Sequence, residues 1–340
     1  MLQAVLTGPM QFSLRQAEKP EISGSRVLIQ VQSVGICGSD IHASKGEHPF
    51  MSFPIVLGHE AAGIVVETGP GANRLKPGDR VVLRPQKICG HCGPCKQGRY
   101  NICESLSVLG CQIDGACSDY YAAEESLFYK IPDKLNFDEG TLIEPLSVAV
   151  HAVHRAGVDI TGQIVVVMGA GTIGNLVAQA AKAIGAKKVI LCDISDTKLN
   201  IAKQCGIENT LNTKEKSLRD FLKNENIAAA YECTASENAL NNLIEAAPKG
   251  ISIVIVGVYG HPIKTNMALV QDREYSLIGT LMYTEKDYLE SIRILEEGKI
   301  KTMPLITGRF PLKEIENAFK SIHSNRETSQ KVILTIGENK

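Results

Sequence analysis

The chain has 340 residues, and a prior of roughly 100–200 residues per domain predicts two cores rather than one. With 44% hydrophobic and 21% charged residues it is neither a disordered chain nor a fibre. Acidic and basic residues number 37 and 36, so no summed field draws nucleic acid or an anionic membrane, and the expected partner is a small molecule.

The longest apolar runs, 164–170 and 251–258, fall well short of the roughly 20 residues a membrane-spanning helix needs. The N-terminus lacks the basic start and long apolar stretch of a secretory signal, which predicts a cytoplasmic protein. Ten cysteines, four of them clustered, suit a reducing compartment and a metal better than a disulfide framework.

Residues 1–150 mix short β-rich runs at 27–34, 61–67 and 80–83 with turn signals at Pro70-Gly71 and Pro77-Gly78-Asp79, predicting an irregular, mostly β domain. Cys37-Gly38-Ser39-Asp40-Ile41-His42 follows the first run, Gly58-His59-Glu60 follows the apolar stretch 55–57, and Glu144-Pro145 stands in an otherwise apolar segment. Taken singly, Cys37 reads as a buried thiol, His59 as a satisfied core histidine and Glu144 as a cap carboxylate. Together they form a mixed Cys, His and carboxylate set, which leaves one position on a zinc ion open to water or substrate, as a catalytic site requires.

Between these segments, Cys89, Cys92, Cys95 and Cys103 lie close enough for one lobe to wrap an ion with four thiolates and no open position. That spacing predicts a structural zinc, with an iron–sulfur cluster as the chemical competitor. His91 lies inside the loop and is surplus to a filled sphere.

From residue 163 apolar strands alternate with helical stretches: 164–168, 173–184, 189–192, 197–205, 229–233, 237–247 and 251–256. Strands with helices between them predict βαβ crossovers and a parallel sheet. The first strand runs into Gly169-Ala170-Gly171-Thr172-Ile173-Gly174 and a helix, the order a dinucleotide pyrophosphate needs: tight turn, close backbone approach, then a helix N-terminus. Asp193 ends the next strand, where a carboxylate accepts the adenosine ribose hydroxyls and repels a 2′-phosphate, so NAD is expected over NADP. Ile194 and Lys198 follow it along the adenosine side. Val256, Gly257 and Val258, with Thr280, are expected to approach the nicotinamide end. After these come a predicted helix at 285–297 and strands at 303–310 and 330–336, a tail expected to return to the first domain.

These motifs, in this order, resemble the zinc-containing medium-chain alcohol dehydrogenases over essentially the whole chain. Within that family, Glu144-Pro145-Leu146-Ser147-Val148 and His151-Ala152-Val153-His154-Arg155-Ala156-Gly157 are similar to the sorbitol and polyol branch, and 46–54 to bacterial L-galactonate and related sugar-acid dehydrogenases. Glu144 stands near where liver-type enzymes carry a cysteine, and the four-cysteine lobe is one that animal sorbitol dehydrogenases lack.

The resemblance implies an α/β protein: a GroES-like, mostly β catalytic domain at 1–150 and 285–340, with its zinc lobe at 89–103, and a Rossmann doubly wound parallel-sheet domain at 151–284 that binds NAD. It implies two zinc ions per subunit, with Cys37, His59 and either Glu60 or Glu144 holding the catalytic one. Ser39 and His42 would relay a proton by way of the nicotinamide ribose. The reaction implied is oxidation of a secondary alcohol of a polyol or sugar acid to a ketone, in a dimer or tetramer. Threonine and 2,3-butanediol dehydrogenases are sibling alternatives, and a dinucleotide-binding sensor that has lost its chemistry is the non-enzyme alternative. An acidic substrate would need a cation, for which Lys45, Arg273 and Arg309 are candidates.

Overall fold

The computed structural model describes residues 1–337, which divide into two units: 1–144 with 306–337, and Pro145–Leu305. No helix among the described residues is long and apolar enough to cross a membrane.

The first unit is built on a seven-stranded sheet whose central member is Arg26–Ile36. Val27, Ile29, Val31 and Val34 are buried in the core, and Leu28 on the other face is buried as well, as a strand covered on both sides requires. Glu60–Thr68 pairs with one edge of this strand and Lys331–Thr335 with the other, both antiparallel. The registers Gly35↔Glu60 and Val332↔Ile36 bring the ends of three strands together beside Cys37. The hairpin Leu2–Gly8 and Gln11–Gln16 lies outside this sheet, and its Phe12 ring meets Phe319 of the Ile315–Ser324 helix at 4.7 Å.

The second unit holds a six-stranded parallel sheet in the spatial order Asn209–Asn212, Lys188–Asp193, Ile164–Met168, Ile227–Glu232, Ser252–Ile255, Ser276–Gly279. The chain runs outward from Ile164–Met168 to one edge, returns beside it, and continues to the other edge. That is the doubly wound order, whose switch point lies between Ile164–Met168 and Ile227–Glu232. Helices Thr172–Ile184, Asp196–Gln204 and Glu237–Ala246 connect the strands, and Val165, Val166 and Val167 are fully buried.

The division falls at 144/145 and 305/306, so the segment 285–305, expected with the first domain, belongs to the second unit. The helix Glu285–Glu296 is fixed there by its own chemistry. Asp287 accepts the Thr284 N–H, capping the helix, and takes His151 Nδ1 at 2.8 Å and His154 Nδ1 at 2.9 Å from the helix Ile143–Arg155. Tyr283 and Tyr288 are fully buried, with ring centroids 5.5 Å apart. The strand expected at 303–310 begins as a 3-10 turn, Met303–Leu305, and becomes a strand at Ile306–Pro311.

Candidate metal and dinucleotide sites

Cys37 ends the central strand and sits at the N-cap of a short helix, Gly38–Ser44, where Asp40 Oδ2 accepts the Cys37 N–H at 2.9 Å. The same carboxylate turns its other oxygen toward His59, with Oδ1 3.6 Å from Nδ1 and no hydrogen bond of its own. One Asp therefore aims both residues, and because it faces Nδ1 it leaves Nε2 of the imidazole to bind an ion. Burial opposes a charge on His59, but the Asp40 carboxylate and the Cys37 sulfur outweigh it and raise the imidazole well above its ordinary range. Burial in turn pushes the Asp40 carboxyl up.

The segment Gly58-His59-Glu60 is shaped by what surrounds it. Gly58 has φ +102°, and a Cβ there would lie 2.9 Å from Cys117 Sγ, so the turn that presents His59 needs glycine. Across the sheet Gly35 is opposite Glu60, and a Cβ on it would stand 2.1 Å from Glu60 Oε2, so the strand opens a slot for the carboxylate. In that slot Lys331 Nζ donates to both Glu60 oxygens at 2.6 Å and to the Ile36 carbonyl at 3.1 Å. Burial lowers the Lys331 pKa, but Glu60 and then Cys37 raise it further, and the ammonium stays charged.

The ligand atoms of Cys37, His59 and Glu60 all lie within 4.8 Å of one another, a convergence that fits one ion. Glu144 is buried at the start of the Ile143–Arg155 helix and adds to the field on Lys331, but it is not in that group. Ser39 is half-buried and His42 exposed on the Gly38–Ser44 helix, with His42 Nδ1 3.6 Å from Glu47. Cys111, given no role from its spacing, places its Sγ 3.9 Å from His59 Nδ1. Neither Lys331 nor Cys111 carries a local signal, since each reaches the site through the fold. Asp40 did carry one, as the third residue after an N-cap, the place where a carboxylate closes a capping box.

The four-cysteine lobe is local. Cys89 and Cys103 sulfurs are 3.5 Å apart, Cys92 and Cys103 3.9 Å, and Cys89 and Cys95 4.0 Å. Sulfurs about 2.3 Å from a tetrahedral ion stand about 3.8 Å from each other, so the thiols fit a single ion. An iron–sulfur cluster needs its thiolates farther apart. Backbone N–H groups of Cys89 and Ser105 point at Cys103 Sγ and lower its pKa. His91 is turned to the Cys89 carbonyl, outside the thiol set.

In the second unit the glycine turn has the shape a pyrophosphate requires. A Cβ on Gly174 would fall 1.8 Å from the Gly169 carbonyl oxygen, whereas one on Gly171 would meet nothing within 4 Å. The turn is closed on the protein side and open where a ligand approaches, at the N-cap of the Thr172–Ile184 helix. Asp193 braces it, accepting the Ala170 N–H at 2.6 Å with one oxygen and those of Ile194 and Ser195 at 2.7 and 2.9 Å with the other. Lys198 is half-buried in the first turn of the next helix, and Ile194 is exposed beside it. Val256, Gly257 and Val258 follow the Ser252–Ile255 strand, Val258 almost fully exposed. Thr280, just past Ser276–Gly279, has a buried Oγ1 with no hydrogen-bond partner, a vacancy of the kind a bound polar ligand fills.

Of the cations considered for an acidic substrate, Lys45 only approaches Glu47 at 4.0 Å, while the two arginines have other work. Arg273 donates to the carbonyls of Ile244, Glu245 and Ala247, and Arg309 is held by Asp138 at 2.7 Å.

Comparison with known proteins agrees with this fold. Residues 23–133 match the alcohol dehydrogenase GroES-like domain, and residues 172–297 match the zinc-binding dehydrogenase family. The sorbitol dehydrogenase of Bacillus subtilis (strain 168) is 31% identical over 98% of this chain and 97% of its own length. The L-idonate 5-dehydrogenase structure from Escherichia coli K-12 superposes with a TM-score of 0.92 at 28% identity, covering 98% of both chains. A structure from Escherichia coli CFT073, described as a short chain alcohol dehydrogenase complexed with NADH, gives a TM-score of 0.92 at 29% identity over 99% of both chains. With its GroES-like domain, its Rossmann sheet and two groups of side chains that could hold a metal, the chain is an oxidoreductase of the zinc-binding, medium-chain alcohol dehydrogenase family.

Proposed function

We propose that the enzyme oxidises a secondary alcohol of a polyol or sugar acid to the ketone with NAD, and runs the reverse reduction on the same residues. The observation that carries this reading is the mixed, convergent set Cys37, His59 and Glu60, in a chain that also holds a glycine turn open to a pyrophosphate. When bound, zinc polarises the substrate oxygen and NAD accepts the hydride.

The protein's own groups do the rest. Cys37 and His59 would hold the ion, Asp40 fixes the imidazole, and Glu60 would contribute a carboxylate whose charge Lys331 balances. Each Glu60 oxygen keeps a second lone pair beyond its bond to Lys331, so the carboxylate serves as the third ligand in this arrangement. Glu144 stands in reserve in the same electrostatic neighbourhood. Ser39 Oγ would accept the proton of the substrate hydroxyl while giving up its own, and His42, exposed on the same helix, would release a proton to solvent. Asp193 orients the glycine turn and disfavours a 2′-phosphate, while Cys89, Cys92, Cys95 and Cys103 hold a second, structural zinc.

With Arg273 and Arg309 engaged elsewhere, Lys45 is the remaining candidate to meet the carboxylate of a sugar acid. The same reading includes a cytoplasmic homo-oligomer. Ten cysteines without a disulfide suit a reducing compartment, and the edge strand Ser276–Gly279 leaves ladder groups for a second copy.

A panel of polyols, aldonates, 2,3-butanediol and threonine, each with NAD and with NADP and followed by absorbance of the reduced cofactor, tests the assignment. Turnover of polyols or aldonates with NAD is expected. Activity with threonine alone would overturn the substrate class, and dinucleotide binding without turnover of any alcohol would overturn the enzyme.

A further inference from the structure

Glu232 ends the strand Ile227–Glu232 at the switch point of the parallel sheet and is fully buried. A buried carboxylate needs donors, and this one has four. Oε1 accepts the Thr234 N–H at 2.6 Å and the Thr234 hydroxyl, while Oε2 accepts the Tyr259 hydroxyl at 2.8 Å and the Ala235 N–H at 3.3 Å. Its main-chain carbonyl takes the N–H groups of Val256 and Gly257 at 2.8 and 2.9 Å. One residue thus ties together two loops that leave adjacent strands at the ligand-binding edge of the sheet.

These loops pack tightly around it and against the glycine turn. A Cβ on Gly257 would lie 2.4 Å from the Ala235 nitrogen, and Ala235 itself is held at φ +55°. A Cβ on Gly169 would lie 2.8 Å from Thr234 Cγ2. The surface offered to a dinucleotide is therefore made of three backbone segments whose mutual positions converge on the Glu232 carboxylate. Tyr259 is the outermost tie: half-buried, it follows the exposed Val258. Burial and the Glu232 charge raise its phenol pKa, so it stays protonated and donates.

We propose that Glu232 is a positioning residue for the dinucleotide, and that the Glu232–Tyr259 hydrogen bond is a latch holding the 256–259 loop in its binding position. The proposal rests on the reading of the switch point as the dinucleotide site. A loop held in place before binding does not have to be ordered at binding, so the latch strengthens affinity without touching the reacting atoms.

The test is Tyr259→Phe in the zinc-loaded enzyme, which removes one hydroxyl and keeps the ring. NAD and NADH are titrated without substrate, by calorimetry and by NADH fluorescence. The dissociation constants should rise roughly tenfold, the scale of one hydrogen bond to a charged group. Metal content should stay as in the parent, and the melting temperature should fall by no more than a few degrees. In turnover, KM for NAD should rise by a similar factor while kcat holds or increases, a split that a general loss of structure would not produce. Glu232→Gln should weaken binding further, and in that background Tyr259→Phe should add little. Parental NAD affinity in Tyr259→Phe would overturn the latch. A parent enzyme that binds neither NAD nor NADH would instead remove the dinucleotide reading on which the latch rests.

Discussion

The two groups of candidate zinc ligands in the first unit use similar atoms and opposite construction. Cys89, Cys92, Cys95 and Cys103 come from a single loop, their sulfurs surround a point, and the chain needs little beyond that loop to build the site. Cys37 follows one strand and His59-Glu60 open the next, and Asp40 and Lys331 contact them from other elements. The first arrangement closes an ion off, which suits folding. The second leaves a side open and depends on neighbours whose charge and direction must be right, which suits chemistry.

The largest effect expected from separating the two comes from removing one thiol at each. Cys37→Ser should lower turnover by about 10²–10³-fold or more, because the charge stabilisation at the substrate oxygen is lost. Metal analysis should find one zinc where the parent has two, with the melting curve little changed. Cys103→Ser should also lose one zinc, but with a lowered melting temperature and greater protease sensitivity confined to the lobe. Two zincs and full turnover in Cys37→Ser would erase the functional half of the comparison.

The next effect concerns the charge behind the open site. Lys331→Met leaves Glu60 buried without its cation, a loss of about 3–5 kcal/mol in folding stability, measured by denaturant unfolding. Adding Glu60→Gln to that variant should restore most of the loss, since no charge is then stranded. A single variant as stable as the parent would mean that water or a bound zinc ion already balances the Glu60 charge. The lobe has no counterpart to this variant.

Asp40→Asn is expected to act more gently, since its role is direction rather than charge balance. Weakened orientation of His59 should cost about 10–100-fold in affinity for the zinc at the open site, read by competition with a chelator, while the thiol lobe keeps its ion. Equal retention at both sites would show that His59 is held by packing alone.

The same contrast governs what was legible in the sequence. The lobe was readable because its ligands repeat at short spacing, and the glycine turn because strand, turn and helix must follow in order. Residue types and neighbours pointed to Cys37, His59 and Glu60, but Lys331 is 271 positions from Glu60 and is brought there only by strand register. Nor could pattern place the Glu60 carboxylate, which lies in a slot opened by Gly35 on a neighbouring strand. The helix Ile143–Arg155 was not predicted, since Pro145 obscured a start where proline in the first turn costs nothing. The tail 285–305 was assigned to the wrong side of the division because what ties it to the second unit is a pair of histidines on that unpredicted helix.

That pair of histidines sharpens the comparison last, with the smallest effect. His151, His154, Asp287 and Glu290 have the composition of a metal site, yet they form none of the convergent groups found among the described residues. Both imidazoles spend Nδ1 on the Asp287 carboxylate directly, so the cluster is a clasp between two helices. Its strength should follow pH rather than metal. The Asp287 bond and the Glu290 charge raise His154, against burial and the nearby Lys286, so its contribution is full below about pH 6.5 and is lost as pH rises through the raised value. Burial would raise Asp287, but the bonds from His151, His154 and Thr284 lower it strongly, so its contribution is present above about pH 3.9 and fades only as pH falls toward the lowered value. The stability lost in His154→Gln should therefore be greatest between about pH 4 and 6.5, on the order of 0.2–1 kcal/mol for a partly exposed pair, and should shrink in alkaline buffer. Unfolding midpoints of parent and variant across that range, repeated with a chelator, decide the matter: a difference that grows with alkalinity, or one that the chelator removes, would turn the clasp back into a metal site.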